Sequence, residues 1–173
     1  LTGNTTSAIV AESTLTYDGT TLTLGGGQIA FPATQAASAG ANTLDDYEEG
    51  TWTPTIGGSV SESGQAYVSQ SGQYTKIGRK AHITCRIDLS TLGTITGSVM
   101  IEGLPFVPGG QFSLAVGYFS ALTTNISSMV AITGSGVARI ELLAGLATQS
   151  TGVSAVTGSV MGLAAANACA AFF

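Results

Sequence analysis

"KAHITCRIDLS", residues 80–90, decides the fold class. Ala81, Ile83, Cys85, Ile87 and Leu89 fall on one side of a period-2 alternation. Lys80, His82, Thr84, Arg86, Asp88 and Ser90 fall on the other. An extended chain points successive side chains to opposite faces, so this stretch predicts a half-buried strand of an antiparallel sheet. Helical periodicity is scarce elsewhere, and short apolar runs ended by Gly or Pro recur. "SVMIEGLPF" (98–106) is stopped by Pro105. "QFSLAVGYFSAL" (111–122) puts Phe112, Leu114, Val116 and Tyr118 on one face. "SSMVAIT", "VARIELL" and "VSAVTGSVM" continue the series, and "LAAANACAAFF" (163–173) reads as a last strand, buried in the fold or at an interface. At least seven strands after Thr51, all with turn-like links, predict an all-β, antiparallel β-sandwich of jelly-roll type.

Upstream, the pattern thins. In "TLTYDGTTLTL" (14–24), Asp18–Gly19 is the signature of a tight two-residue hairpin turn. Pairing across it sets Leu15 opposite Leu22, Ser13 opposite Leu24 and Tyr17 beside Thr20. Leu15, Tyr17, Leu22 and Leu24 then make a mostly apolar face, and the other face is all Thr. A lone hairpin is marginal in water, and residues 1–40 hold too little apolar mass to cover that face. The expectation is that identical hairpins from neighbouring chains cover it. "GGGQIAFPATQAASAGAN" then reads as a connector. In "NTLDDYEEGTWTPTI" (42–56), Asn42 or Thr43 is placed to cap a short helical turn over Leu44 to Glu49, ended by Gly50. The reading is a β-rich stalk over 1–35, an acidic connector over 36–50 and a β-sandwich over 51–173.

Charge narrows the function classes. Of 173 residues only 9% are charged, against roughly 25% in ordinary soluble domains. Gly (24), Thr (24) and Ser (18) take their place, as expected of a chain that hides much of its flank against copies of itself. Residues 1–50 carry six acids and no Lys or Arg, while 51–173 carry four acids and five bases. Phosphate contacts need Lys and Arg, and the one basic patch, Lys76–Arg79–Lys80–Arg86, is small, so no nucleic-acid partner is expected. Pro105, Pro108 and Gly109–Gly110 break one long uncharged run, and Gly, Ser, Thr and Gln149 stud the other, so no membrane insertion is expected. Leu1 begins in mid-pattern without an initiator Met, which predicts a fragment or a processed product, and no charged n-region precedes an apolar stretch as a signal peptide requires. Cys85 and Cys169 lie far apart, without a CxxC partner or a His at zinc spacing. They read as two buried thiols, with one disulfide as the alternative.

The order "TYDGTTLTL…GGQIAFPATQ…ANTLDDYEEGTWTPTI…GQYTKIGR…IEGLPF" resembles tail-fibre and fibre-like structural proteins of tailed bacteriophages, over roughly residues 14–106. In such proteins a β-rich stalk leads through an acidic junction into a C-terminal β-sandwich. The resemblance implies a homotrimer on the exterior of the virion, on tail or capsid. Its N-terminal side would contact other virion proteins, and its tip a host cell-surface glycan or protein.

Catalytic chemistry finds little support in the residues. Asp45, Asp46, Glu48 and Glu49 could supply a glycosidase pair, but such pairs converge from a rigid cleft, whereas these line one short turn. D-D-x-E-E also lacks the alternating ligands of a calcium loop. Trp52 with Tyr47 could stack a sugar ring; packing the sandwich edge is the plainer role for Trp52. His82 lacks an adjacent nucleophile and orienting carboxylate, since Asp88 is six residues along the strand and so ~20 Å away. No GxSxG, HExxH or P-loop occurs. The reading is therefore a non-enzyme without cofactor or metal. Asp45, Asp46, Tyr47, Glu48, Glu49 and Trp52 mark a junction. Receptor contact is expected on strand-linking loops at 57–72, 90–98 and 108–112. The first is the most polar and holds Ser59, Ser61, Glu62, Gln65, Tyr67 and Gln70. The alternatives are a capsid-attached head fibre or decoration protein and, from another class, a glycan-depolymerising tailspike.

Overall fold

In the computed structural model, residues 15–120, 126–146, 152–158 and 169–171 are described, and every regular element among them is a β-strand. The chain divides into two compact units, residues 1–36 and 37–173.

The first unit holds one hairpin, β1 (Leu15–Tyr17) and β2 (Leu22–Leu24). Its register differs from the expected one: Leu15 pairs Leu24 and Tyr17 pairs Leu22, leaving four residues in the turn. The cause is Asp18. Its carboxylate accepts the backbone N–H groups of Thr20 (2.8 Å) and Thr21 (2.6 Å), which opens the turn beyond Asp18–Gly19. A slip of two residues conserves side-chain direction, so Leu15, Tyr17, Leu22 and Leu24 still share one face. The expected partner Ser13 lies outside the described residues.

The second unit contains β3 (Tyr47–Trp52), β4 (Thr55–Gly58), β5 (Ser61–Ser63), β6 (Ala66–Ile77), β7 (Lys80–Thr91), β8 (Thr94–Thr96) and β9 (Val99–Glu102). It continues with β10 (Ser113–Ala115), β11 (Ile126–Thr133), β12 (Arg139–Leu146), β13 (Ser154–Ala155) and β14 (Cys169–Ala171). One sheet runs β14-β7-β6-β3; the other runs β10-β11-β12-β9-β4, with β13 also on β12; β5 and β8 form a small ribbon. All pairings are antiparallel. Both large sheets feed one hydrophobic core: Trp52, Ile83, Ile87 and Leu89 from the first meet Ile56, Val99, Ile101, Ile140 and Leu142 from the second. The unit is thus a β-sandwich. Each fully buried Ile, such as Ile140, stabilises it by about 1.5–3 kcal/mol.

The strand read from residues 80–90 is β7, and Ile83, Ile87 and Leu89 are buried as the alternation requires. Gly78 and Arg79 alone link it to β6, with Gly78 at φ +57°. Two expectations change. No helical turn forms over Leu44–Glu49; Tyr47–Trp52 is instead the edge strand of the first sheet, paired residue by residue with β6 from Tyr47↔Ile77 to Trp52↔Gly72. The sandwich therefore begins within the acidic stretch and not after it. The tract 57–72 is likewise not one loop, because it contains the end of β4, all of β5 and the first half of β6. Of the described residues 111–120, only Ser113–Ala115 is strand, with Leu114 buried while Phe112 and Tyr118 are exposed.

Candidate functional site

Strand alternation sends Glu48, Gly50 and Trp52 to one face of β3, and Tyr47, Glu49 and Thr51 to the other, while Asp45 and Asp46 precede the strand. The four acids therefore diverge, and each meets its own partner. Asp46 is buried and forms an ion pair with Lys76 of β6. Glu48 accepts the Tyr74 hydroxyl. Glu49 accepts the Tyr47 hydroxyl at 2.9 Å, and Asp45 accepts the backbone N–H of Ser38 at 2.7 Å. The hydrogen bond to Glu48 holds the Tyr74 phenol above its ordinary pKa, and Glu49 does the same for Tyr47. Tyr74 also meets Phe106 edge-on, ring centres 5.8 Å apart. Among the described residues, no group of three or more His, Cys, Asp or Glu side chains is arranged to hold a metal ion.

Trp52 completes the strand. Its ring stands against Gly72 of β6, and its Nε1 donates to the Thr84 carbonyl on β7 at 3.2 Å, so one side chain ties three strands. Sugar stacking on Trp52 would require an open ring face, and the residue is only 7% exposed.

The six residues expected to face a receptor separate into two groups. Tyr67 and Gln70 lie on β6 and are spent internally. The Tyr67 hydroxyl accepts the Ile56 N–H at 2.9 Å, and the Gln70 amide donates to the Pro54 carbonyl at 2.8 Å. Ser59, Ser61, Glu62 and Gln65 are associated with the β5–β8 ribbon. Ser61 pairs its hydroxyl with Thr96, Gln65 donates to the Thr94 carbonyl at 3.0 Å, Glu62 accepts the Gly58 N–H at 3.2 Å, and Ser59 accepts the Ser98 N–H at 2.9 Å. These bonds stiffen the ribbon, while Ser59, Ser61 and Glu62 remain exposed. The ribbon lies beyond the Ala66↔Thr91 end of the β6–β7 hairpin; β3 joins the sheet at the Ile77↔Lys80 end. A twelve-residue strand spans ~36 Å at ~3.3 Å per residue, so the ribbon is far from the point where the acidic stretch enters the sheet.

The hairpin residues Leu15, Tyr17, Leu22 and Leu24 are 38%, 68%, 61% and 37% exposed. Asp88 was not legible as special. It sits beside a register shift in the β6–β7 ladder, is 6% exposed and accepts Arg86 at 2.7 Å. Its other carboxylate oxygen is buried without a hydrogen-bond partner among the described residues. The alternation assigns Asp88 to a wetted face, and nothing in the sequence signals its burial or the register shift beside it.

No protein-family model, curated protein or solved structure matches the chain.

Proposed function

We propose that this chain is a virion structural protein of a tailed bacteriophage, of tail-fibre type. In this reading it trimerises through its hairpin segment and meets the host surface through the β5–β8 ribbon. The observation that carries the reading is the hairpin's apolar face. Four large side chains on two three-residue strands are partly exposed, Tyr17 and Leu22 most of all, and a hairpin with such a face gains stability against another surface. Copies of the same hairpin supply one. The acidic stretch fits the same reading, since each of its carboxylates is engaged with a separate partner and they do not converge on a substrate. The ribbon suits recognition: it is rigid, rich in hydroxyls and remote from the point where the acidic stretch enters the sheet. Three copies would raise avidity for a repeated glycan or protein receptor.

Light scattering of the intact chain tests the assembly. Three chains per particle are expected, and Leu22→Ser with Leu24→Ser should release monomers; a monodisperse wild-type monomer overturns the trimer. Phage carrying Glu62→Ala and Ser61→Ala should adsorb to host cells more weakly with the fold intact. Labelled chain found on the head would move the reading to a head fibre or decoration protein. Reducing sugar released from host polysaccharide would move it to a tailspike.

A further inference from the structure

The chain has two cysteines, 84 positions apart, and the fold makes them direct partners. In the ladder between β7 and β14, Cys169 is in register with Cys85, followed by Ala170 with Thr84 and Ala171 with Ile83. Direct partners in an antiparallel ladder have Cα atoms about 4.5 or 5.5 Å apart, depending on whether the pair is hydrogen-bonded. Both spacings lie within the roughly 4.4–6.8 Å that a disulfide spans. A slip of one residue would put the two positions on opposite faces of the sheet, so this register alone makes the linkage feasible.

We propose that Cys85 and Cys169 are a site of intramolecular disulfide formation that ties the last strand to the centre of the first sheet. The inference rests on strand register and is independent of the function proposed above. β14 is a three-residue strand at the edge of its sheet, of sequence Cys-Ala-Ala. Cys85 is half-buried on a twelve-residue strand, so one end of the bond is anchored in a rigid element.

The oxidant we name is a small-molecule disulfide such as oxidised glutathione. The thiolate of one cysteine attacks it, forming a mixed disulfide and expelling one glutathione thiolate. The second cysteine thiolate then attacks the protein-side sulfur, forming the Cys85–Cys169 bond and expelling the second glutathione. Two electrons pass from the cysteine sulfurs to glutathione disulfide, and the two thiol protons end on the two glutathione thiols.

The test is to incubate the folded, full chain with oxidised glutathione, quench it with an alkylating agent and record its intact mass. The expected product is a single chain about 2 Da lighter than the reduced form and unmodified by the alkylating agent, since two hydrogens are lost. Trypsin should then yield residues 81–86 joined to the peptide that begins at residue 140, and reduction should separate them. Two controls keep the result specific. Cys169→Ser should leave Cys85 as thiol or as mixed disulfide. Cys169→Ala combined with Ala170→Cys moves the thiol to the opposite face and should lower the yield of linked peptide at least about tenfold. The proposal is overturned if both thiols of the folded chain remain alkylatable, if the bond joins two chains on non-reducing electrophoresis, or if the shifted cysteine links equally well.

Discussion

Gly72→Ala probes the link between the acidic strand and the sandwich core. A Cβ at residue 72 would sit 2.5 Å from Cδ1 and Cε2 of Trp52, far inside van der Waals contact. The indole cannot rotate away freely, because it is 7% exposed within the core and its Nε1 is bonded to the Thr84 carbonyl. Overpacking of this kind costs about 1–3 kcal/mol, and losing the indole hydrogen bond adds about 0.5–1.5 kcal/mol. A total near 3 kcal/mol, at about 2–4 °C per kcal/mol for a chain of this size, lowers Tm by roughly 6–12 °C. Protomer concentration must be held fixed, because assembly would shift Tm by mass action. Trp52 is the only Trp in the chain, so its fluorescence reports this seat directly. The variant should show a shifted emission maximum in the native baseline together with the lower Tm. Gly78→Ala is the control: a Cβ there meets nothing within 4 Å, and only its φ of +57° is penalised, by about 1–2 kcal/mol, with emission unchanged. A Gly72→Ala protein with wild-type Tm and wild-type emission would refute the account of how Trp52 ties β3, β6 and β7.

Lys76→Met should destabilise the sandwich by about 3–5 kcal/mol in denaturant titration, because it leaves Asp46 buried opposite no cation. Adding Asp46→Leu should recover most of that loss; a single variant no worse than the double would show that the pair is not the reason. Alkaline titration of tyrosinate absorbance tests the Glu48–Tyr74 bond. Folding raises the Tyr74 pKa, so the stabilisation is complete below the ordinary tyrosine pKa of about 10 and is lost as pH climbs through the raised value. Glu48→Gln should move one tyrosine of the titration to lower pH, and identical curves for the two proteins would contradict the assignment.

The β7 strand was legible because its period-2 pattern runs unbroken through eleven residues and one face is entirely apolar or small. The shared face of the hairpin was legible for the same reason, even though its turn was not. The turn depended on where the Asp18 carboxylate found donors, which no face pattern encodes. The acidic stretch reads locally as a helical turn because Asp and Glu suit the first turn of a helix. Its competing β alternation became decisive only when β6 supplied Lys76, Tyr74 and Gly72 as cross-strand partners. Tyr67 and Gln70 looked like loop residues because Ser, Gly and Gln around them carry no apolar signal, yet each bonds to a backbone group of the Pro54–Ile56 segment.

The sequence by itself determined the all-β class, the sparsely charged surface and the apolar face of the hairpin, since these follow from composition and local alternation. Only the tertiary structure decided which strands pair, where each acid finds its partner, that Trp52 crosses Gly72 to reach Thr84, and that Cys169 falls in register with Cys85. Those are long-range choices. Their energies come from close packing and cross-strand bonds between residues tens of positions apart, and no local pattern in a single chain carries them.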